Sequence, residues 1–390
     1  MRRLALRACT ASTAWMRPAS CRYHSDGPLV VGGNAAGVVR DGEAVKMTLS
    51  DFVGGFDDGR RCRASAGSVL SFLDRCGGCT AVSFIVGYKA GERTFLSAMS
   101  GLTVSTIAFN AFMFRRPVYT GDLLVVEGRV VHVGSSSLGV HLDVARQGYD
   151  CTTPLNVGEC YLTMVCVSLE RLGKPVKGIL PALQLTSPVD KERNQTYCML
   201  RDIQKASVVR SLNGGDELTE LIEEDVNNNK AIKVPISDTT THGNRTYTVG
   251  DLNNNSSIFG GRILCLMEEH ARHCGRVFTG CPHVHTIGMH DMIFDRPLYP
   301  SDFTTLEAKV VYVRNTTMEV DVDMRVERDG EFVTSNRASF VLICMDEAGN
   351  KILIPKGLDL LKSSPNDTEL YAKARRRYMY SLDAKKKKRL

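Results

Sequence analysis

Residues 106–144 read TIAFNAFMFRRPVYTGDLLVVEGRVVHVGSSSLGVHLDV, and residues 286–324 read TIGMHDMIFDRPLYPSDFTTLEAKVVYVRNTTMEVDVDM. The two stretches align without a gap at a constant offset. Thr106/Thr286, Phe114/Phe294, Arg116/Arg296, Pro117/Pro297, Tyr119/Tyr299, Asp122/Asp302, Glu127/Glu307, Val131/Val311 and Val133/Val313 agree in type. A repeat of this length is two copies of one small domain, not a solenoid of short units. Two copies in one chain create an internal pseudo-dimer, and a ligand site can be shared across its interface.

Each copy shows the same order of elements. A short strand is expected at Val45–Leu49 and again at Thr246–Val249, then a helix at Gly67–Val86 and Gly261–Val277. β-rich runs follow at Leu123–Val133, Leu138–Val144 and Tyr161–Leu169, matched by Phe303–Val313, Met318–Val326 and Ser339–Met345. Alternation rich in Val, Tyr and Thr marks antiparallel strands joined by turns. Each copy closes on Ser-Pro, at Ser187-Pro188 and Ser364-Pro365, before a charged helix that Asp190 or Asp367 is placed to cap. One helix followed by consecutive strands reads as an α+β domain with the helix packed on the sheet. In the first copy Val69, Leu70, Phe72, Leu73, Val82, Phe84 and Ile85 cover nearly the whole helix circumference, so that helix is expected to be buried.

The chain of 390 residues has room for such a pair of cores, and its net charge of +6 is mild. Residues 1–25 hold Arg2, Arg3, Arg7, Arg17 and Arg22 and no acid before Asp26, the composition of a mitochondrial presequence. Matrix localisation is therefore expected. The terminal Lys388-Arg389-Leu390 resembles a peroxisomal address only loosely, and ranks below it. No stretch is expected to span a bilayer. The run Lys385–Arg389 has no interleaved aromatics and reads as a solvated tail, not a nucleic-acid patch. The first domain is set at 38–212 and the second at 236–390, with 213–235 as an acidic linker through DELTELIEED. The 13 cysteines are scattered and odd in number, which points to reduced thiols. Cys76-Gly-Gly-Cys79 stands alone and reads as small residues on the helix. His270, His273, Cys274, Cys281, His283 and His285 cluster without the spacing of a zinc finger, and no metal or other cofactor is expected.

Asp74 is the candidate for chemistry. It sits in the apolar helix VLSFLDRCGGCTAVSFIV, and burying a carboxylate raises its pKa unless it is paired. The alternative is an ion pair with Arg75 or with an arginine of the facing domain. The second informative segment is Asp251 to Gly261, DLNNNSSIFGG, before the second helix. A helix N-terminus offers free backbone N–H groups, and glycine lets an oxygen approach them. That arrangement makes either an oxyanion hole or simply a capped turn.

The pattern N-x5-F-G-G, then an acid seven residues on, then F-x-x-P-x-x-x-x-D, is carried by Asn253, Phe259, Gly260, Gly261, Glu268, Phe294, Pro297 and Asp302. It resembles the hotdog-fold acyl-CoA thioesterases. With the repeat, the presequence and the turn at 133–138, the chain is most similar to the mitochondrial double-hotdog members, over roughly 38–380. The resemblance implies two hotdog domains, each a long central helix wrapped by an antiparallel sheet, pairing edge to edge. It implies acyl-CoA as substrate, and further association, such as a trimer of double hotdogs. Carried over, Asp74, Asn253 and Gly260 are the catalytic set, with Asp74 as general base on water or as direct nucleophile. Phe259, Gly261 and Gly78 are expected to line the substrate. The mirror site would use Glu268, Gly59 and Ala66. It is expected to be degenerate, because no Asn occurs between Asn34 and Asn110 and Ala66 stands where Gly260 does. Asp57 or Asp58 is the substitute that would rescue it. Two rival readings remain at this level: an acyl-thioester hydratase or dehydratase using His290, and a non-catalytic acyl-CoA-binding or assembly protein.

Overall fold

The computed structural model describes residues 29–31, 38–42, 45–54, 62–87, 101–170, 173–212, 230–290, 292–328 and 330–387. The arginine-rich N-terminus, Asp57, Asp58, Gly59, residues 213–229 and the last three residues lie outside them.

Two long helices organise the fold, α1 (Ala66–Val86) and, in the second copy, α3 (Gly260–Thr279). Both end the same way. Gly87 and Gly280 adopt positive φ of 74° and 71°, and their N–H groups close onto Ser83 O and Arg276 O. Only glycine takes that left-handed cap without a Cβ penalty. Each helix is cradled by strands of its own copy. In the first these are β1 (Met47–Phe52), β2 (Leu102–Phe109), β3 (Leu123–Val133), β4 (Ser137–Gln147) and β5 (Leu155–Ser168). In the second they are β6 (Thr241–Arg245), β7 (Val284–Met289), β8 (Met292–Phe294), β9 (Thr304–Val313), β10 (Thr317–Arg328) and β11 (Glu331–Cys344).

All these strands pair antiparallel and form one continuous sheet, in the order β6-β9-β10-β11-β8-β2-β5-β4-β3-β1, with β7 beside β11. The seam between the halves is β8 on β2, with Met292 opposite Phe109 and Ile293 opposite Ala108. The short strand Phe112–Met113 adds a second seam against Gly288 and Met289. Gly288 is needed there, since a Cβ would lie 2.1 Å from Met113 Sδ. Edge-to-edge pairing removes two exposed edges that would otherwise recruit other chains. The architecture is a double hotdog, an intramolecular pseudo-dimer.

The central strands β2 and β7 escaped the sequence reading, because LTVSTIAF and VHTIGM show no clean alternation. Their register breaks explain why. Each carries a bulge at the same repeat position, between Thr106 and Ala108 and between Thr286 and Gly288. A bulge inserts a residue, shifts the facing of the side chains and re-aims its neighbour.

Helix α2 (Pro188–Leu212) covers the outer face of the first half-sheet, and α4 (Pro365–Lys387) belongs to the second. The caps of these helices differ from expectation. Ser187 Oγ accepts the Asp190 N–H at 3.0 Å and donates to Asp190 Oδ2 at 2.8 Å; Ser364 and Asp367 repeat this at 3.2 and 2.7 Å. The serines therefore cap, and the aspartates serve as their acceptors, because a hydroxyl both donates and accepts. Under α2, Asn194 donates to Val131 O at 2.6 Å and Tyr197 OH meets Thr163 Oγ1 at 3.0 Å. Coverage on both faces is why β3 and β5 read as nearly continuous buried runs.

Two other expectations shift. Ile232–Val234 pairs in parallel with Lys356–Leu358, so the second domain reaches back into the segment read as linker. Lys385 to Lys387 continue α4 instead of leaving it as a tail. Helix α1, 21 residues long with mean hydropathy 1.4 over its most apolar 18, is long and apolar enough to cross a bilayer, contrary to the reading that no stretch is. Most of its apolar surface is spent on the protein core: Val69, Leu70, Leu73, Ala81 and Phe84 are buried against the sheet and α3.

Candidate active site

The two core helices cross at their N-terminal halves, and glycine permits it. A Cβ on Gly67 would lie 2.8 Å from Cys265 Cα, and one on Gly261 would lie 2.5 Å from Ser71 Oγ. The crossing brings the start of each helix to the carboxylate of the other.

At the first crossing stands Asp74, 4% exposed. Thr106 Oγ1 donates to its Oδ1 at 2.5 Å, and the Gly261 backbone N–H donates to the same carboxyl group. The bulge in β2 is what aims Thr106 at it. Burial pushes the Asp74 carboxyl up to about 6, against the downward pull of the Thr106 hydroxyl and the Gly261 N–H. That places an acid–base group near neutrality, as proton-transfer catalysis requires. Arg75, the ion-pair alternative, faces outward toward Asp51 at 3.8 Å.

Gly260 is the first residue of α3, so its N–H has no intrahelical acceptor and sits at the positive end of the helix. A Cβ there would lie 2.8 Å from Asp74 Oδ2 and 3.2 Å from the Phe294 ring. Phe259 precedes it as the helix cap, with its ring against Gly261. Gly78, one turn on from Asp74, is half-buried with open space where its side chain would be.

Asn253 is engaged with its own loop. Its Oδ1 accepts the N–H groups of Asn255 at 2.8 Å and Ser257 at 3.2 Å, and its Nδ2 donates to Ser257 Oγ at 2.9 Å. The residue that crosses to the first domain is Asn255, whose Nδ2 donates to Ser105 Oγ at 2.5 Å, beside Thr106. The Asn255 Oδ1 is buried with no protein partner among the described residues. Sequence reasoning missed Thr106, Thr286 and Asn255. The identity of Thr106 and Thr286 across the repeat was the available signal for the first two.

The second crossing holds Glu268, fully buried at 0% exposure. Thr286 Oγ1 donates to its Oε1 at 2.6 Å and Ser65 Oγ to its Oε2 at 2.9 Å. Arg272 Nε lies 3.0 Å from Oε1, an ion pair with no counterpart at Asp74 among the described residues. Ala66 opens α1 there, and Gly67 lies beside the carboxylate.

The other candidate clusters are bound into the fold. His270 Nε2 is 3.1 Å from Thr241 O, and Cys274 Sγ donates to Thr239 O and Ala308 O. His290 Nε2 is 3.5 Å from Glu319, whose carboxylate also holds Arg377 of α4; neither Asp74 nor Glu268 is among its partners. The hydratase reading thereby loses its histidine. His141, Asp143 and Glu159 are grouped closely enough for a cation, but Arg193 and Arg115 already pair the two carboxylates.

Comparison with known proteins gives the family. The model of the thioesterase superfamily matches twice, over residues 64–150 and 255–333. A protein of Bacillus subtilis named as the uncharacterised acyl-CoA thioester hydrolase YkhA is 26% identical over 113 residues, 27% of this chain and 62% of the relative's length. An acyl-ACP thioesterase from Bacteroides thetaiotaomicron superposes with a TM-score of 0.45 at 16% identity, covering 77% of this chain and 98% of its own. An acyl-CoA hydrolase from Staphylococcus aureus, solved with butyryl coenzyme A, gives 0.35 at 20% identity, covering 39% of this chain and 94% of its own.

Proposed function

Since this chain is a double hotdog of the thioesterase superfamily, we propose that it hydrolyses acyl-CoA to the free acid and coenzyme A at the Asp74 crossing. The observation that carries the reading is one buried carboxylate, held near neutrality between Thr106 and Gly261 and touching the first residue of a facing helix. Asp74 accepts a proton from water as the water oxygen attacks the thioester carbonyl. The Gly260 N–H, at the helix terminus, stabilises the oxyanion that develops. The carbon–sulfur bond then breaks, the proton held by Asp74 passes to the departing thiolate, and coenzyme A leaves as the thiol. Asn253 keeps the loop in shape, and Asn255 offers its free Oδ1 at the seam, where it can orient water. Residues 1–25 direct import into the mitochondrial matrix in this reading, and the double hotdog associates further, as a trimer or a similar homo-oligomer.

The test is free-thiol release from short-, medium- and long-chain acyl-CoAs by protein lacking residues 1–25. Binding of the esters with no thiol release, by protein with Asp74 intact, would make it a carrier instead. Two variants probe the chemistry. Thr106→Val removes a hydroxyl that lowers the Asp74 pKa. The acid limb of kcat/KM, expected near pH 6, should move to higher pH, with little loss on the alkaline plateau. An unmoved limb would show that Asp74 is not the titrating base. Gly260→Ala keeps the backbone N–H but puts a methyl group against Asp74 and the Phe294 ring, and is expected to lower kcat by about 10²-fold by displacing the carboxylate. A rate within twofold of native would show that the close approach of Gly260 to Asp74 is not needed for turnover.

A further inference from the structure

The two crossings are built alike. Each has a buried acid on a core helix, a threonine aimed by a bulge, and a donor from the start of the facing helix. They differ one turn further along. Asp74 is followed four residues on by Gly78, and Glu268 by Arg272. Beside Gly78 there is open space, whereas the Arg272 guanidinium reaches back to the Glu268 carboxylate.

We propose that Arg272 closes the second crossing, so that each chain binds a single acyl-CoA, at Asp74. The proposal rests on the hydrolase reading and assigns the residue that makes the molecule one-sited.

Three physical effects act together. First, the guanidinium lies against the Glu268 carboxylate, at the repeat position where glycine places no side chain at the other crossing. Second, Oε1 of Glu268 is engaged by both Arg272 and Thr286, which leaves less of the carboxylate open to a water or a substrate atom. Third, breaking the pair would strand a charge at a site with no exposure, which is strongly destabilising when one partner of a buried pair is removed. Arg272 is therefore held in place by the group it blocks. Its charge is felt around the mouth of the crossing as well. Burial, then Arg63, Arg272, His283 and Arg276, push His285 down to about 4, so this imidazole stays neutral. His285 occupies the repeat position of Ser105, the residue that Asn255 grips at the first crossing. No asparagine from the loop before α1 makes the reciprocal contact among the described residues.

The experiment counts ligand. A non-hydrolysable acyl-CoA thioether is titrated calorimetrically into the native chain and into Arg272→Ala. The native protein is expected to bind one equivalent per chain, and Arg272→Ala two. Arg272→Lys, which keeps the cation, should remain at one. If Arg272→Ala unfolds because Glu268 is stranded, Arg272→Ala with Glu268→Gln removes the unpaired charge and should still bind two. Two equivalents on the native chain, or one on both opened variants, would overturn the closure and leave the hydrolase reading standing. Zero binding together with zero thiol release would sink the hydrolase reading itself.

Discussion

Asp74→Asn is expected to lower kcat by about 10²- to 10⁴-fold, the range for loss of a general base, while making the protein more stable at neutral pH. The stability gain follows from the same burial. The carboxyl is held at about 6 where an unfolded aspartate has 3.8. Between those values the native state binds more protons than the unfolded chain, so stability falls as pH rises through the window. Above pH 6 the full cost is present, on the order of 3 kcal/mol at about 1.4 kcal/mol per pH unit. Asparagine keeps an acceptor for Thr106 and Gly261 but carries no charge, so it removes that cost. Thermal melts should therefore coincide near pH 4 and separate by several degrees at pH 7, with the variant higher. Glu268→Gln is the control for activity and should turn over at close to the native rate. Equal losses in the two variants would reject a single working crossing.

Gly78→Arg is expected to abolish turnover by recreating at the first crossing the ion pair seen at the second. The helix itself should benefit, because replacing an interior glycine with arginine improves helix propensity by roughly 1 kcal/mol or slightly less. Open space beside Gly78 means that the Cβ of the new side chain meets nothing within 4 Å. The expected result is a folded, slightly more stable protein with thiol release reduced at least 10²-fold and with thioether binding lost. Gly78→Ala adds a methyl group into the same open space and should remain active. Loss of activity in the alanine variant would mean that the glycine serves the backbone and not access to the site.

Both variants stabilise by destroying function, the trade-off expected where a site keeps a destabilising feature for chemistry. In this chain the features are an uncompensated buried carboxylate and a glycine in mid-helix. Each was visible in the sequence as a local inconsistency: an aspartate in an apolar helix, and Gly77-Gly78 within the same helix. Local inconsistency is where function concentrates. The two glycines nonetheless have separate reasons. A Cβ on Gly77 would lie 2.7 Å from Met164 Cε, so it permits packing against β5, and only Gly78 is open.

The loop before α3 shows where sequence reasoning stops. Three successive asparagines, Asn253 to Asn255, offer the same amide. Which one organises the loop and which one crosses the seam depends on the turn closed by Asn253 and Ser257. Thr106 was hidden for a related reason. A threonine in a strand is an ordinary strand former, and only the bulge turns it toward Asp74.

From the residues alone came the doubling of the domain, the order of helix and strands, and the identity of the buried acid, because periodicity and side-chain polarity are local properties that a linear reading captures. Tertiary structure alone decided which helix start meets which carboxylate, which threonine and asparagine face the crossing, and that Arg272 sits on Glu268 while Asp74 has no such partner among the described residues. Those depend on bulges, on helix crossing and on contacts between residues far apart in the chain, and the energy of such a contact exists only once the backbone has brought its members together.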